Sequence, residues 1–270
     1  QIPELVALLG AQNKSSQADD VVKALVATAR RVAVEDRTAG IVLQQLPQAE
    51  GASRAAMLVA LGQLGSPVGR PALKRAVAQG ADSRLREDAL RALATAEPED
   101  SFVPDLLEVS TTSDQQTHRV LALRAAVRLI DQGTLSADAK VQKLKQVMEA
   151  AERTDEKRAA LAALARIQTP VAMELACGYA SDASLQAEAA QTTMQIAQAI
   201  ADAEPKRVVA ALKVLVVSPI GAERREQAED LLLEVASVQS YVRQGEVAGS
   251  YMQEGKNYAQ LFDSPFAPEE

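Results

Sequence analysis

The sequence predicts an all-α protein made of stacked helix pairs. Hydrophobic residues make up 47% of the 270 residues, whereas aromatic residues make up only 3%. Most of the apolar residues are Ala, Leu and Val; Ala and Leu favour helices, and the aromatic residues that favour strands are scarce. In addition, a short Ala-Leu-x-x-Leu pattern recurs along the chain. A core with few large side chains requires closely spaced helices, so composition and repeat indicate the same fold class.

The recurring pattern has the spacing of a two-helix repeat. The four full copies, at Ala60, Ala89, Ala122 and Ala160, place apolar residues at i, i+1 and i+4. These residues form one stripe on a helix, and the alanines permit close packing. The other three copies are weaker. The intervals between copies run from 29 to 39 residues, within the range of helical repeat families. The copies begin at Ala24, Ala60, Ala89, Ala122, Ala160, Ala189 and Ala228.

A second helix is predicted between successive copies. Ser66-Pro67 and Thr169-Pro170 combine a capping hydroxyl with a proline, which the first turn of a helix tolerates. Ser136 and Glu204-Pro205 give similar start signals. The predicted second helices span 68–79, 137–151, 171–180 and 206–217, and the turns at 79–82 and 179–182 are expected to end one helix and cap the next.

One helix pair cannot bury its apolar stripe alone, but stacked pairs cover one another in a continuous core. We therefore predict about six or seven pairs stacked as an α-solenoid. A compact helical bundle is the alternative, and it is disfavoured because a bundle needs no recurring motif. The leucines expected in the core are Leu61, Leu64, Leu90, Leu93, Leu123, Leu161, Leu164 and Leu232.

The helix pairs between Ala18 and Val238 resemble HEAT repeats, including a shorter subtype of roughly 30 residues found in many bacterial proteins. The regular Asp and Arg of eukaryotic HEAT repeats are only partly represented here, by pairs such as Arg84/Arg86 and Arg119/Arg124. The resemblance implies an armadillo-like solenoid over residues 1–239.

Residues 240–270 are predicted to form a separate, non-helical tail. Five of the seven aromatic residues of the chain lie there, and three glycines interrupt any helical period. The tail resembles a linker of large secreted bacterial proteins, in which HEAT repeats precede a glycan-related β-sandwich domain. Alternatively, it is a cap whose aromatic side chains cover the last helix pair. Its aromatic residues are Tyr241, Tyr251, Tyr258, Phe262 and Phe266.

The charge distribution argues against a protein held mainly by nucleic-acid phosphates, since the net charge is -7 and the sequence pI about 5.0. Residues 51–96 nevertheless carry seven cations and three acids, and residues 97–114 carry six acids and no cation. Solvated helix faces are the favoured explanation. The basic zone also lacks the aromatic residues that would grip an extruded base.

No catalytic, cofactor-binding or metal-binding residues are predicted. His118 is the sole histidine and is expected at the surface or in a cap, because no cysteine or acidic pair stands near it at ligand spacing. Cys177 is the sole cysteine and is expected to be a small apolar core residue. Nucleotide-binding glycine motifs and the HExxH zinc motif are absent from the sequence.

The leading hypothesis is a non-catalytic module, not an enzyme, that binds another protein or sibling domains of the same chain. One alternative is a structural accessory segment of a secreted carbohydrate-active protein, and another is a nucleic-acid-binding array. No cofactor and no membrane span are expected, since the longest apolar run, 208–217, is interrupted by Lys213. The first residue is Gln1, which we interpret as the start of a mature or excised fragment. A periplasmic or extracellular location is favoured over a cytoplasmic one.

Overall fold

A computed structural model of the protein describes residues 1–11, 15–78 and 80–240. Within these ranges the chain has fourteen α-helices, two short 3-10 helices and no strand. The predicted all-α fold class is confirmed, and the helices form seven successive pairs, consistent with the predicted solenoid. The predicted tail lies outside the described residues, apart from Ser240, which ends the last helix.

The first helices of the pairs are α1 (Ile2–Gly10), α3 (Glu35–Gln45), α5 (Arg70–Val77), α7 (Val103–Thr112), α9 (Ala137–Ala150), α11 (Pro170–Cys177) and α13 (Pro205–Val217). The second helices are α2 (Ser15–Arg31), α4 (Gly51–Leu64), α6 (Ser83–Leu93), α8 (Gln116–Gln132), α10 (Thr154–Leu164), α12 (Gln186–Ile200) and α14 (Ala222–Ser240). The 3-10 helices, Leu46–Gln48 and Asp100–Phe102, precede α4 and α7.

The helices pack in two layers. Each even-numbered helix contacts the even-numbered helices of the neighbouring pairs, and the odd-numbered helices form the second layer. Substantial contacts join only helices of the same or adjacent pairs, so α1 and α14 do not meet within the described residues. This arrangement excludes the compact bundle.

The core follows the predicted leucine stripes, with one exception. Seven of the eight predicted leucines are buried, but Leu232 is only half-buried, and its neighbour Leu231 is buried instead. The prediction for Leu232 is wrong because α14 belongs to the last pair. No further described pair covers the side of α14 on which Leu232 lies.

Several predicted caps are present. Thr169 Oγ1 accepts a hydrogen bond from the Ala172 amide at 3.3 Å, and Ser136 Oγ accepts one from Ala139 at 3.3 Å. The Asp82 carboxylate accepts the amides of Arg84 and Leu85. These bonds satisfy amides that have no partner inside the first turn.

Two other caps were predicted at the wrong place. Ser66 does not cap a helix, because α5 begins only at Arg70; its hydroxyl donates to Asp36 instead. Asp182 closes a local turn by accepting the Ser184 amide, and α12 begins later, at Gln186. In both turns a short polar side chain bonds to the chain nearby and so competes with capping.

Ion pairs join neighbouring repeats. In the even layer, Arg54 contacts Asp88 at 3.2 Å, and Arg158 contacts Glu188 at 2.8 Å. In the odd layer, Lys74 contacts Asp105 at 3.4 Å, and Arg70 pairs with Glu99. The basic zone of residues 51–96 therefore neutralises part of the acidic zone of residues 97–114, one repeat further on. Surface pairs of this kind contribute little individually, but they match one repeat to the next.

No described helix is both long and apolar enough to cross a membrane.

Candidate functional site

A groove of about 370 Å³ lies at the start of the array, between α1 and the turn that joins α2 to α3. A volume of this size falls at the lower end of the range for small-molecule sites. We call it the first-repeat groove. Its nine lining residues are Gln1, Ile2, Pro3, Thr28, Arg31, Val32, Val34, Arg37 and Ile41.

The turn from α2 to α3 shapes one wall of this groove. The amide of Val34 donates to the Ala29 carbonyl, and that of Ala33 donates to the Arg30 carbonyl, which together form a Schellman ending for α2. Ala33 has a φ of 52°, in the left-handed region that usually requires glycine. The strained residue stands between Val32 and Val34, and both of these line the groove. Backbone strain of this kind is concentrated at functional sites.

One side of the groove is apolar. Val32 is a large aliphatic side chain that is 53% exposed. Ile2, Val34 and Ile41 are half-buried around it. The groove therefore offers aliphatic surface that a ligand with an apolar body would cover.

The other side of the groove carries two cations, Arg31 and Arg37. Both are exposed, and neither has an ion pair or side-chain hydrogen bond among the described residues. Asp36, next to Arg37 in the sequence, accepts the Ser66 hydroxyl at 2.7 Å. None of the nine lining residues is acidic. Arg37 also lies in the first turn of α3, where the helix dipole disfavours a cation.

A second groove, of about 300 Å³, lies between α10 and α12. Its two cations are Arg158 and Arg166, and both are already paired, with Glu188 and Asp131 respectively. Their guanidinium groups thus have protein counter-ions, whereas those of the first-repeat groove have none among the described residues.

His118 is buried, with 1% of its surface exposed, so the predicted surface or capping role is wrong. Residue 118 begins the buried stripe that continues at Ala122, Ala125 and Leu129 of α8, three or four residues apart. His118 Nδ1 lies 3.3 Å from the Ser113 hydroxyl, and Nε2 has no hydrogen-bond partner among the described residues.

The pKa of His118 is lowered by burial and by the nearby guanidinium of Arg86. Both effects favour the neutral imidazole.

Cys177 is buried, as predicted, and its thiol lies 3.6 Å from the Ala211 carbonyl oxygen. Burial, reinforced by the carboxylate of Glu174, raises the pKa of this thiol. His118 on α8 and Cys177 on α11 lie on helices without substantial contact, so the structure does not bring them together. Among the described residues, no group of three or more His, Cys, Asp or Glu side chains is placed to hold a metal.

Comparisons with known proteins add a likeness of fold. No family model matches the chain, and no curated protein matches it. A solved structure of human deoxyhypusine hydroxylase in complex with glycerol aligns with 85% of this chain and 84% of its own. The two are 15% identical in sequence, and the TM-score is 0.34.

This comparison corrects the expectation of a non-catalytic module that is not an enzyme. The solved helical array to which this chain is similar is an enzyme, so absence of catalysis is no longer assigned on the basis of the fold. At this level of likeness, neither an activity nor a residue role is carried over to this chain.

Sequence reasoning missed the first-repeat groove. Its signals were the arginines that flank the turn, Arg31 and Arg37, and the valines on either side of Ala33. These residues follow no known motif. These arginines and valines lie near Ile2 only because of the way α1 packs against α2 and α3. Helical periodicity does not determine that packing.

Proposed function

We propose that this protein binds a small amphipathic anion in the first-repeat groove: an organic molecule with an alkyl or other apolar body and one carboxylate or phosphate group. The observation that carries the proposal is that Arg31 and Arg37 have no counter-ion among the described residues and lie beside the exposed aliphatic surface of Val32. The proposal concerns binding, and it leaves open whether chemistry follows.

The arginines of the two grooves differ in whether they are already paired. In the groove between α10 and α12 the arginines already donate to carboxylates, so an incoming anion would have to displace a protein partner. In the first-repeat groove no such displacement is needed. A guanidinium that donates to a carboxylate or phosphate forms a charge-assisted hydrogen bond, which contributes about 1.5–3 kcal/mol.

An apolar ligand body would also gain free energy in proportion to the aliphatic area that it covers in the groove. Covering aliphatic surface contributes roughly 25 cal/mol per Å² removed from water. Val32, with Ile2 and Ile41 beside it, provides that surface next to the cations. A ligand with both an apolar body and an anionic group therefore gains more here than a purely polar anion or a purely apolar molecule.

Calorimetric titration with three probes tests the proposal: octanoate, 1-octanol and acetate. Octanoate is expected to bind at least about tenfold more tightly than 1-octanol, which corresponds to about 1.4 kcal/mol for the carboxylate. Acetate, without an alkyl chain, is expected to bind too weakly to detect. Equal affinity for octanoate and 1-octanol would contradict the role of the arginines.

Matched arginine variants locate the site. Arg31→Gln and Arg37→Gln are each expected to weaken octanoate binding about tenfold while leaving 1-octanol binding unchanged. Arg75→Gln makes the same change of charge at an exposed arginine of α5 that does not line the groove, and it is expected to have no effect. If all three variants weaken binding equally, the anion is attracted by overall charge and not by this groove.

We also propose that the array is part of a larger secreted bacterial protein with a β-sandwich domain beyond the tail. Support comes only from the resemblance of residues 240–270 to such linkers. The full gene tests it: a signal peptide upstream and a β-sandwich sequence downstream are expected, and a gene that encodes neither would contradict the proposal.

A further inference from the structure

The last helix pair exposes an apolar surface that nothing in the described residues covers. Leu233 is 69% exposed on α14, and Val217 is 82% exposed on α13. Leu232, Val209 and Val216 belong to the same helix pair, are half-buried and pack against the core. We call these five residues the end face. In the middle of the array, the corresponding sides of each pair are covered by the next pair.

Two lysines of α13 lie next to the valines of the end face. Lys206, Val209, Lys213 and Val216 follow one another at intervals of three or four residues and so form one stripe along α13. Lys206 and Lys213 are exposed and have no ion pair among the described residues. A segment that covers this stripe is therefore favoured if it combines large apolar side chains with negative charge.

Residues 241–270 have that composition. They contain five aromatic residues, and they carry five acids against two cations. The segment begins directly after α14, the helix that carries Leu232 and Leu233. Thirty residues span up to about 100 Å when extended, whereas a helix of the length of α14 measures about 28 Å. The chain is thus long enough to fold back over both helices of the last pair.

We infer that residues 251–266 of this same chain dock on the end face and cap the solenoid. The aromatic rings of Tyr251, Tyr258, Phe262 and Phe266 cover the valines and leucines, while the acidic residues of the tail lie near Lys206 and Lys213. A solenoid requires a cap at its terminal repeat. The tail of the same chain is favoured over that of a second copy because a short tether holds it at an effective concentration in the millimolar range.

A tryptophan introduced by substitution reports on this docking, because the sequence contains no other tryptophan. Phe262→Trp and Tyr258→Trp are made separately in the full chain. The expected fluorescence emission of at least one reporter lies at shorter wavelength than that of the unfolded chain and does not change on dilution. Emission from both reporters at the wavelength of the unfolded chain would overturn the inference. A shift that disappears on dilution would also overturn it, because the occupant would then be a second copy.

Substitutions on the end face identify where the tail docks. Leu233→Lys is expected to move the reporter emission to longer wavelength, and Lys213→Glu is expected to do so as well, by repelling the acidic tail. Val68→Lys is the matched control, because Val68 is an exposed valine, 44% exposed, in the loop between α4 and α5. It is expected to leave the emission unchanged. Equal shifts from Leu233→Lys and Val68→Lys, or no shift from Leu233→Lys, would overturn the inference.

Discussion

The middle of the array and its two ends differ in how their apolar side chains are buried and in how their charged side chains are paired. Between α4 and α12, neighbouring repeats cover most of each other's leucines and pair many of their charges, as in Arg124–Glu156 at 3.0 Å, although Val68 and Val171 are exposed there. At the ends, aliphatic side chains such as Val32 and Leu233 are exposed, and arginines such as Arg31 have no counter-ion among the described residues. Substitutions in the middle of the array therefore test stability, and those in the first-repeat groove and the end face test binding.

The comparison predicts a large difference between leucines of the middle and of the end. Leu90→Ala is expected to lower the free energy of unfolding by about 2–5 kcal/mol, because Leu90 is fully buried and the change leaves a cavity. Leu232→Ala is expected to cost only about 1–2 kcal/mol, because Leu232 is half-buried. Chemical denaturation of the two variants measures both changes in the free energy of unfolding.

The control for this pair is Arg91→Ala, which removes an exposed side chain one residue after Leu90. Its i,i+4 contact with Glu87 contributes only about 0.3–0.5 kcal/mol. If Arg91→Ala and Leu90→Ala destabilise the protein equally, the assignment of the buried face of α6 is wrong.

Ion pairs in the middle of the array are expected to differ according to how far they are buried. Arg124→Ala removes a partner from Glu156, whose side chain is only 1% exposed, so a buried carboxylate loses a hydrogen bond. The expected cost is about 1–3 kcal/mol. Lys145→Ala breaks an i,i+4 pair with Glu149 in which both side chains are more than half exposed. Its expected cost is below about 0.5 kcal/mol. Similar costs in a denaturation series would contradict the distinction.

The buried histidine makes the stability of the middle of the array depend on pH. The pKa of His118 is lowered in the folded protein relative to its ordinary value of 6.5, so the unfolded chain binds the proton more readily. Neutral His118 therefore makes its full contribution to the free energy of unfolding above about pH 6.5, and this contribution is lost as the pH falls below that value. His118→Gln is expected to flatten the pH dependence of the melting temperature between about pH 5 and 7. An unchanged slope would show that carboxylates alone cause the dependence.

The smallest expected effect concerns the backbone at the first-repeat groove. Ala33→Gly is expected to stabilise the protein by about 0.5–1 kcal/mol, because glycine adopts a positive φ without steric cost. The comparison position is Gly65, which ends α4 with a φ of 64°. There Gly65→Ala is expected to destabilise the protein by at least as much, because the added Cβ would also lie 3.0 Å from Glu97 Cγ. Destabilisation by Ala33→Gly would mean that the left-handed conformation at residue 33 is not maintained in solution.

The sequence predicted the middle of the molecule better than its ends. Apolar spacing found Leu90, Leu93 and Leu161 because a regular stripe is buried wherever another pair covers it. The same reasoning failed at Leu232, where the array ends. It also failed at His118, since a lone polar residue at the start of a buried stripe was assigned from its type and not from its position.

The first-repeat groove could not be predicted because it arises from a junction. It forms where α1 meets the turn around Ala33, and no repeat of the sequence encodes that contact. The positions of the charged residues along the sequence were misleading in a similar way. The basic and acidic zones looked asymmetric along the chain, yet Lys74 and Asp105 meet across adjacent repeats.

Hydrogen exchange with mass spectrometry, with and without octanoate, measures directly whether binding occurs at an end of the array. Octanoate is expected to slow exchange in peptides that cover residues 2–10 and 28–41, and to leave α7 to α10 unchanged. Arg31→Gln is expected to abolish that protection, and Arg75→Gln is expected to preserve it. Protection centred on α10 and α12, or spread evenly over all repeats, would contradict the assignment of binding to the first-repeat groove.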